Sequence, residues 1–478
     1  MDERVKIQTL GWVAKTLSDG AAKHDGGMLV KNGLGGWEDR EWSGAAIDSR
    51  AECSGRLFFA LRGENTDGHR FVTDAYASGA IAAIIEDESF GKELDKNGIP
   101  YLLVTNSLES LQELARAYRN LLDVRVIAIT GSTGKTTTKE YVGRIMKSKF
   151  RSFANPGNFN SLIGVPLTIL ETEVDNEFLI CEIGANQKGE IGFLAAMLRP
   201  EIGVITNIGD AHVGMFGSVE AIAEAKAELL EHVEAHGYAV LPRDDVFYSL
   251  LEKKSEARTV TFGRSHDADF QLTGVELDVT ALKFRVNDEV VRIEAVGEYN
   301  ALNACAAFAV GDVCGVEHAR ISEALASVSP LTGRGRVHQK VGVTVVDESY
   351  NASPASMRVS VAMLEAMDAS RKMAVLGDMK ELGAYTEEMH QQLGELLAAS
   401  AVDSVFWFGE DGRSVKKGFD AASGAAKFQL YDSLKILAED VTADVRAGDA
   451  VLVKASRTCN LDHVVERLLD ALDARSES

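Results

Sequence analysis

Residues 124–130 read VRVIAIT, and residues 131–137 continue GSTGKTT. The first run is apolar and mostly β-branched, as expected for a strand buried on both faces of a parallel sheet. The second is a glycine-rich turn. A helical pattern follows it, with Tyr141, Val142, Ile145 and Met146 on one face. Strand, glycine turn and helix in that order are the context a phosphate-binding loop requires. Glycines let backbone N–H groups converge on phosphate oxygens with no Cβ in the way, and the helix N-terminus adds positive potential. The reading assigns Gly131, Ser132, Thr133, Gly134, Lys135, Thr136 and Thr137 to the phosphates. Lys135 would reach the β- and γ-phosphates, and the Thr136 hydroxyl would hold Mg²⁺. The longer GxxxxGK[ST] form wants glycine where Ile129 stands, so the stretch fits the shorter TGxxGKTT form. A glycine-rich turn with no ligand is the bland alternative.

Working outward, residues 178–183 (FLICEI) and 203–208 (GVITNI) repeat the strand pattern with helical stretches between them. Such alternation predicts an α/β fold with a doubly wound parallel sheet. Residues 268–297 alternate more loosely, as in an antiparallel piece, and residues 301–313 read as an alanine-rich helix. Upstream, the chain is glycine-rich and irregular to Glu41. Short apolar runs at 56–61 and 80–85 then predict a small α/β domain ending near Val104, and residues 107–122 have helix spacing. Downstream of Ser329-Pro330, strand-like runs at 341–346, 372–376, 405–408 and 450–454 predict a Rossmann-like C-terminal domain. The expected domains are therefore 1–104, 105–328 and 329–478.

The chain has 478 residues, with 50 Lys+Arg against 72 Asp+Glu and a formal charge of −22. That argues against nucleic-acid binding, which needs a basic surface, and against a polybasic membrane anchor. Small anionic substrates stay open, because a local cation cluster outweighs distant acidic surface at a Debye length of about 8 Å. The five cysteines include no CxxC pair, so free thiols in a reducing cytoplasm are expected. No apolar run approaches the ~18 residues of a membrane span. Residues 1–17 carry charges throughout, unlike a secretory leader.

Three more residues carry chemistry. Glu182 ends one apolar strand run, and His212 follows another in NIGDAH. Ligands of doubly wound sheets bind outside those strand ends, so both groups can face the loop's phosphates and hold a second divalent cation. Taken singly, an ordinary strand-end salt bridge and a surface histidine would be the better explanation of each, and it is the neighbouring phosphate loop that favours the metal reading. Lys226 falls on the apolar stripe of a helix containing Val219, Ile222, Ala223, Leu229 and Leu230, with Ser218 as N-cap. Burial would lower its pKa, and a neutral amine can take up CO₂ as an anionic carbamate. From spacing alone, a lysine snorkelling to the surface is the simpler reading.

Several motifs occur together in one order: ITGSTGKTTTKE, NPGNFNSLIGVPLT, EIGANQKGEI, ITNIGDAH, the Lys226 helix and GEYNALNACAAFA. This series resembles the central domain of the Mur ligases, which build the peptide of bacterial cell-wall precursors. Asp48-Ser49-Arg50 and LFFALRGENTDGHRF resemble the UDP-sugar-binding N-terminal domain. GRGR at 333–336, DESYNASPASM at 347–357 and VLGDMKELG at 375–383 resemble the C-terminal domain. The last two are similar to the form in family members that add D-alanyl-D-alanine to UDP-N-acetylmuramoyl-tripeptide. The DNPR-type motif of members that add diaminopimelate is absent.

The resemblance implies ATP-dependent amide ligation through an acyl phosphate, giving ADP and phosphate. It also implies roles by residue. Thr136, Glu182, His212 and Lys226 serve two Mg²⁺ ions, with Lys226 as the carbamate. Asn300 and Asn303 lie on the adenine side, Arg334 turns toward the γ-phosphate, and Asp347 or Glu348 meets the ribose. Asp48, Ser49 and Arg50 hold the uridine-diphosphate end, while Asn160, Tyr350 and Asn351 contact the peptide substrates. Three departures stand out: NSLIG at 160–164 in place of NN[ED]IG, Tyr299 in place of a common histidine, and Ala455 in VKASR in place of glycine. A cytoplasmic monomer is expected. The competing readings are a related ligase adding another amino acid, and a nucleotide-binding switch without ligase activity.

Overall fold

The computed structural model describes residues 9–20, 29–63, 66–278 and 280–476. The leader reading at 1–8, part of the glycine-rich start, and Glu64-Asn65 of the UDP-sugar motif lie outside these residues. The chain carries three sheets, of five, nine and six strands, and divides into two compact units. One comprises residues 1–128, 150–184 and 193–200, and the other 129–149, 185–192 and 201–478.

In the first unit, β1 (Leu29–Gly33), β2 (Ala45–Ala46), β3 (Leu57–Phe59), β4 (Ala82–Ile85) and β5 (Tyr101–Val104) pair in the order β1-β5-β4-β3-β2. Only the β1–β5 pair is antiparallel. All of β3, β4 and β5 is buried, which explains their unbroken apolar sequences. The irregular start expected from glycine content is corrected by a helix at Leu10–Gly20. Its Leu10, Val13, Ala14 and Leu17 repeat at helix spacing and are all buried. Helix α1 (Ser107–Arg119) is capped by Asn106, whose side chain accepts from Glu109 N at 3.0 Å. Its buried Arg119 donates to the carbonyls of Leu198, Leu122 and Val124, satisfying chain ends around the unit. Strand β6 (Arg125–Thr130) leaves this unit, and β7 (Ser152–Ala154) pairs in parallel with β8 (Phe178–Glu182).

The second unit begins at Ile129 with the glycine turn and helix α2 (Lys135–Lys147). Strands β9 (Ile202–Ile205), β10 (Tyr238–Pro242), β11 (Arg258–Gly263) and β12 (Phe270–Asp278) run parallel. Then β13 (Ala281–Val286) and β14 (Glu289–Ile293) add antiparallel, as the loose alternation suggested. Helices α3 (Val219–Ala227) and α4 (Glu298–Val313) belong to this part.

The six-stranded sheet follows, built from β15 (Arg336–Lys340), β16 (Val343–Glu348), β17 (Arg371–Gly377), β18 (Ser404–Phe408), β19 (Lys427–Tyr431) and β20 (Asp449–Lys454). Their order is β15-β16-β20-β17-β18-β19, with only the edge strand β15 antiparallel. Along β17, Met373 and Val375 enter one apolar core while Ala374 and Leu376 enter the other. This is the period of two that a sheet covered on both faces demands. The face bearing Ala374 and Leu376 also takes in Val213, Ile222 and Val296 from the preceding nucleotide-fold part, so the two share a core. Among the described residues no helix is long and apolar enough to cross a membrane. All five cysteines are buried, and none is in a disulfide.

Candidate active site

Gly131 (φ +151°) and Gly134 (φ +78°) put the loop in conformations that side-chain-bearing residues rarely adopt. Gly134 is the N-cap of α2 and has no side chain to cover the helix end. A Cβ at Gly134 would also collide with Asn303 Oδ1 on α4. Gly134→Ala is therefore expected to cost about 1–3 kcal/mol of stability from the strained backbone and to weaken ATP binding. Thermal unfolding and nucleotide titration of the same variant check both effects.

The loop is tied to the end of β9. Thr206 N donates to Thr130 O at 2.9 Å, Ser132 N to Asn207 O at 2.9 Å, and Thr206 Oγ1 to Thr133 O at 2.6 Å. Asn207 Oδ1 accepts from Thr133 N and Oγ1, both at 3.1 Å. These side chains explain why β9 stops at Ile205, whereas the sequence pattern carries the strand to Ile208. Residues 206 and 207 leave the ladder to hold the loop. Sequence reasoning missed both residues, because their role appears only once β9 and the loop are side by side. Lys135 Nζ lies back across the loop, donating to Gly131 O at 2.9 Å and Ser132 O at 3.3 Å. Thr136 is 3% exposed.

Lys226 is 5% exposed, on the buried face of α3, whose first turn is capped by Ser218 accepting from Ala221 N at 3.1 Å. The lysine therefore does not snorkel. Burial, and secondarily the charge of Lys135, push its pKa well below the ordinary lysine range. A buried amine whose charged form is disfavoured fits carbamate formation.

His212 adopts a left-handed backbone (φ +65°) just before the turn at Val213–Phe216. Its Nδ1 lies 2.6 Å from Glu381 Oε2. Its imidazole, and then the charge of Lys135, hold the Glu381 carboxyl below the usual range. Asn300 is 2% exposed and donates to Val296 O at 2.8 Å. It lines a cavity with Thr137, Tyr141, Leu331 and Arg334. The guanidinium carbon of Arg334 stacks 3.8 Å from the centre of the Tyr350 ring.

The two carboxylates assigned to ribose are occupied by protein donors. Asp347 accepts from Gly333 N at 2.8 Å, Ser349 N at 3.1 Å and Ser349 Oγ at 2.6 Å. Glu348, 4% exposed, pairs with Lys454 Nζ at 3.1 Å and accepts from Ser360 and from the hydroxyl of Tyr299. The Lys454 charge and these hydrogen bonds outweigh burial and keep Glu348 below the ordinary carboxylate range. The tyrosine that departs from the family pattern thus has a defined partner. Asn351 O accepts from Lys454 Nζ at 3.1 Å.

In the first unit, Glu182 is 2% exposed, and its Oε1 accepts from Asn160 Nδ2 at 2.6 Å. Asn155, from the NPGNFN motif, receives Glu182 N on its Oδ1 at 2.9 Å and donates to Phe159 O at 2.9 Å. Asn155 is a third residue missed from sequence. Arg50 is exposed and pairs with Asp48 at 2.7 Å, holding that carboxyl at about 2, and Ser49 lies half-buried between them.

Three family models match the chain: the Mur ligase family catalytic domain at 41–119, the Mur ligase middle domain at 129–311, and the Mur ligase glutamate ligase domain at 333–457. The UDP-N-acetylmuramoyl-tripeptide–D-alanyl-D-alanine ligase of Bacillus subtilis is 34% identical over 433 residues, covering 90% of this chain and 93% of that one. The chain belongs to the Mur ligase family. The ligase of the same name from Escherichia coli is 31% identical, covering 88% of this chain and 92% of its own. Among solved Mur ligases, MurF from Acinetobacter baumannii superposes with a TM-score of 0.79 at 30% identity, covering 89% and 93% of the two chains. MurF from Thermotoga maritima, solved in complex with ADP, superposes with a TM-score of 0.76 at 31% identity, covering 90% and 98%.

Proposed function

We propose that this chain is an ATP-dependent ligase that joins D-alanyl-D-alanine to the terminal carboxylate of UDP-N-acetylmuramoyl-tripeptide in peptidoglycan precursor synthesis. The reading is supported above all by the phosphate loop with Lys135 across it and by the buried Lys226, whose charged form is disfavoured by burial and then by Lys135. That arrangement lies in a chain similar to ligases of this activity over 90% of its length. Residues 1–104 would bind the UDP-sugar, 105–328 ATP, and 329–478 the incoming dipeptide, in a cytoplasmic monomer.

Each candidate residue has a task. Gly131 to Thr137 cradle the triphosphate through backbone N–H groups, with Asn300 and Asn303 on the adenine side and Asp347 or Glu348 toward the ribose. Asp48, Ser49 and Arg50 bind the uridine diphosphate, and Arg50 exchanges its Asp48 partner for phosphate. Asn160, Tyr350 and Asn351 meet the peptide substrates. Hydroxyl, carboxylate and imidazole donors suit Mg²⁺, so Thr136, His212, Glu182 and a carbamate on Lys226 would hold two such ions. Bound there, Mg²⁺ supplies charge neutralisation for the phosphates.

The reaction balances in two steps. The tripeptide carboxylate attacks the γ-phosphorus, an acyl phosphate forms, and ADP leaves. The dipeptide amine then attacks the acyl carbon, the C–O bond to phosphate breaks, and the amine loses a proton. No protein nucleophile is required, and catalysis consists of positioning and charge stabilisation. Lys135 and Arg334 offset the repulsion between the carboxylate and the triphosphate.

The test is product mass after incubation with ATP, D-alanyl-D-alanine and the tripeptide precursor carrying either diaminopimelate or lysine. An amide product and ADP in equal amounts are expected with one of the two. Turnover only with a single free amino acid would indicate a different family ligase. ATP binding without ADP formation would indicate a switch protein.

A further inference from the structure

The loop that carries His212 is clamped by a segment far along the chain. A Cβ at Gly214 would collide with the backbone of Leu382 and Gly383. Tyr385 OH donates to Gly217 O at 3.0 Å. Val213 shares an apolar core with Met379 and Leu382. At the loop's other end, Asp210 pairs with Arg358 at 2.6 Å and accepts from Ala355 N at 2.9 Å, in the first turn of helix α5 (Pro354–Ala366).

At the centre of this clamp, His212 and Glu381 face each other, both with φ +65°. Left-handed backbone at residues with side chains is unfavourable and persists only where the surroundings enforce it. Nδ1 of His212 is shut off from solvent and meets no other polar partner among the described residues. Glu381 Oε2, 2.6 Å away, comes in off the ideal hydrogen-bond line. The Glu381 side chain is otherwise half exposed.

We infer that Glu381 is a positioning residue that holds the proton of His212 on Nδ1 and thereby turns an unprotonated Nε2 toward the metal-binding side of the phosphate loop. The inference rests on the reading of His212 as a metal ligand. Its physical basis is general: the second ring nitrogen of a ligating histidine usually donates to a carboxylate, which fixes both tautomer and orientation. The structure adds the source of that carboxylate, a segment that follows β17 in the C-terminal sheet. Docking of that segment would then set the state of a ligand in the nucleotide part.

Two readouts on the full-length protein test this. The first is the imidazole ¹⁵N spectrum of histidine-labelled, metal-free protein about two units above the ordinary histidine pKa, with the His212 signals assigned by their loss in His212→Gln. The wild type is expected to show a protonated Nδ1 and an unprotonated Nε2. Glu381→Ala is expected to show a mixture dominated by the other tautomer, and Glu381→Gln, whose amide oxygen still accepts, is expected to keep most of the wild-type form. The second readout is Mn²⁺ binding by electron paramagnetic resonance in the presence of a non-hydrolysable ATP analogue. Glu381→Ala is expected to weaken Mn²⁺ binding about ten- to a hundredfold, while analogue binding without metal and the melting temperature stay at wild-type values. An unchanged His212 tautomer in Glu381→Ala overturns the inference whatever the metal does. Wild-type Mn²⁺ affinity in His212→Gln itself would instead overturn the ligand reading beneath it, leaving the tautomer result to stand.

Discussion

Lys226→Ala is expected to lower turnover by about a hundred- to a thousandfold, the range seen when one electrostatic stabiliser of a transition state is removed. The reasoning begins in the sequence, where the lysine sits on the apolar stripe of its helix. In the structure it is 5% exposed, with its pKa pushed well below the ordinary range by burial and then by Lys135. A charged ammonium at that position would be costly, whereas a neutral amine is a nucleophile for CO₂. The carbamate formed would be an anion beside Lys135. Short carboxylic acids are therefore expected to restore part of the activity of Lys226→Ala, and removal of dissolved CO₂ to slow the wild type. Lys226→Met fills the same volume without a polar group, so it is expected to melt no lower than the wild type while remaining inactive. Full activity in either variant would remove the carbamate from the mechanism.

Lys135→Ala is expected to have an effect of similar size, about a hundred- to a thousandfold on ATP-dependent turnover, for a different reason. Its Nζ now donates to two carbonyls of its own loop, Gly131 O and Ser132 O. Those bonds hold a cation over the cradle, ready to be exchanged for phosphate oxygens, and bonds between charged partners are the stronger kind. The variant is expected to bind ATP more weakly and to lose chemistry beyond the loss of binding. Arginine at this position would carry the charge on a wider, planar head and restore little. An unchanged rate would show that the loop is not the phosphate site. Saturating ATP in steady-state kinetics separates binding from chemistry.

The parts of this picture that could be read from sequence are those written locally. The strand, glycine turn and helix at 124–147 are contiguous, and Lys226 shows its burial through helix spacing. Strands buried on both faces, such as β17 and β20, announce themselves as apolar runs. The edge strands β15 (RVHQK) and β19 (KFQLY) do not, because half-exposed positions there carry polar side chains. The supports of the site were hidden for another reason. Thr206 and Asn207 act on a loop more than seventy residues away, Glu381 on His212, and Tyr299 on Glu348. Such pairings follow from how the elements pack, and no periodicity encodes them. The helix at Leu10–Gly20 was obscured by the surrounding glycines although its apolar spacing is regular.

The central claim is that the tripeptide carboxylate is activated by ATP before the amide forms. Its most direct test is oxygen transfer. The precursor is labelled with ¹⁸O in its terminal carboxylate and incubated with ATP and D-alanyl-D-alanine, and the inorganic phosphate is analysed by mass. One ¹⁸O atom per phosphate released is expected, because the oxygen that attacks the γ-phosphorus departs with it. Phosphate free of label, or ADP formation at the same rate without the dipeptide, would contradict the account.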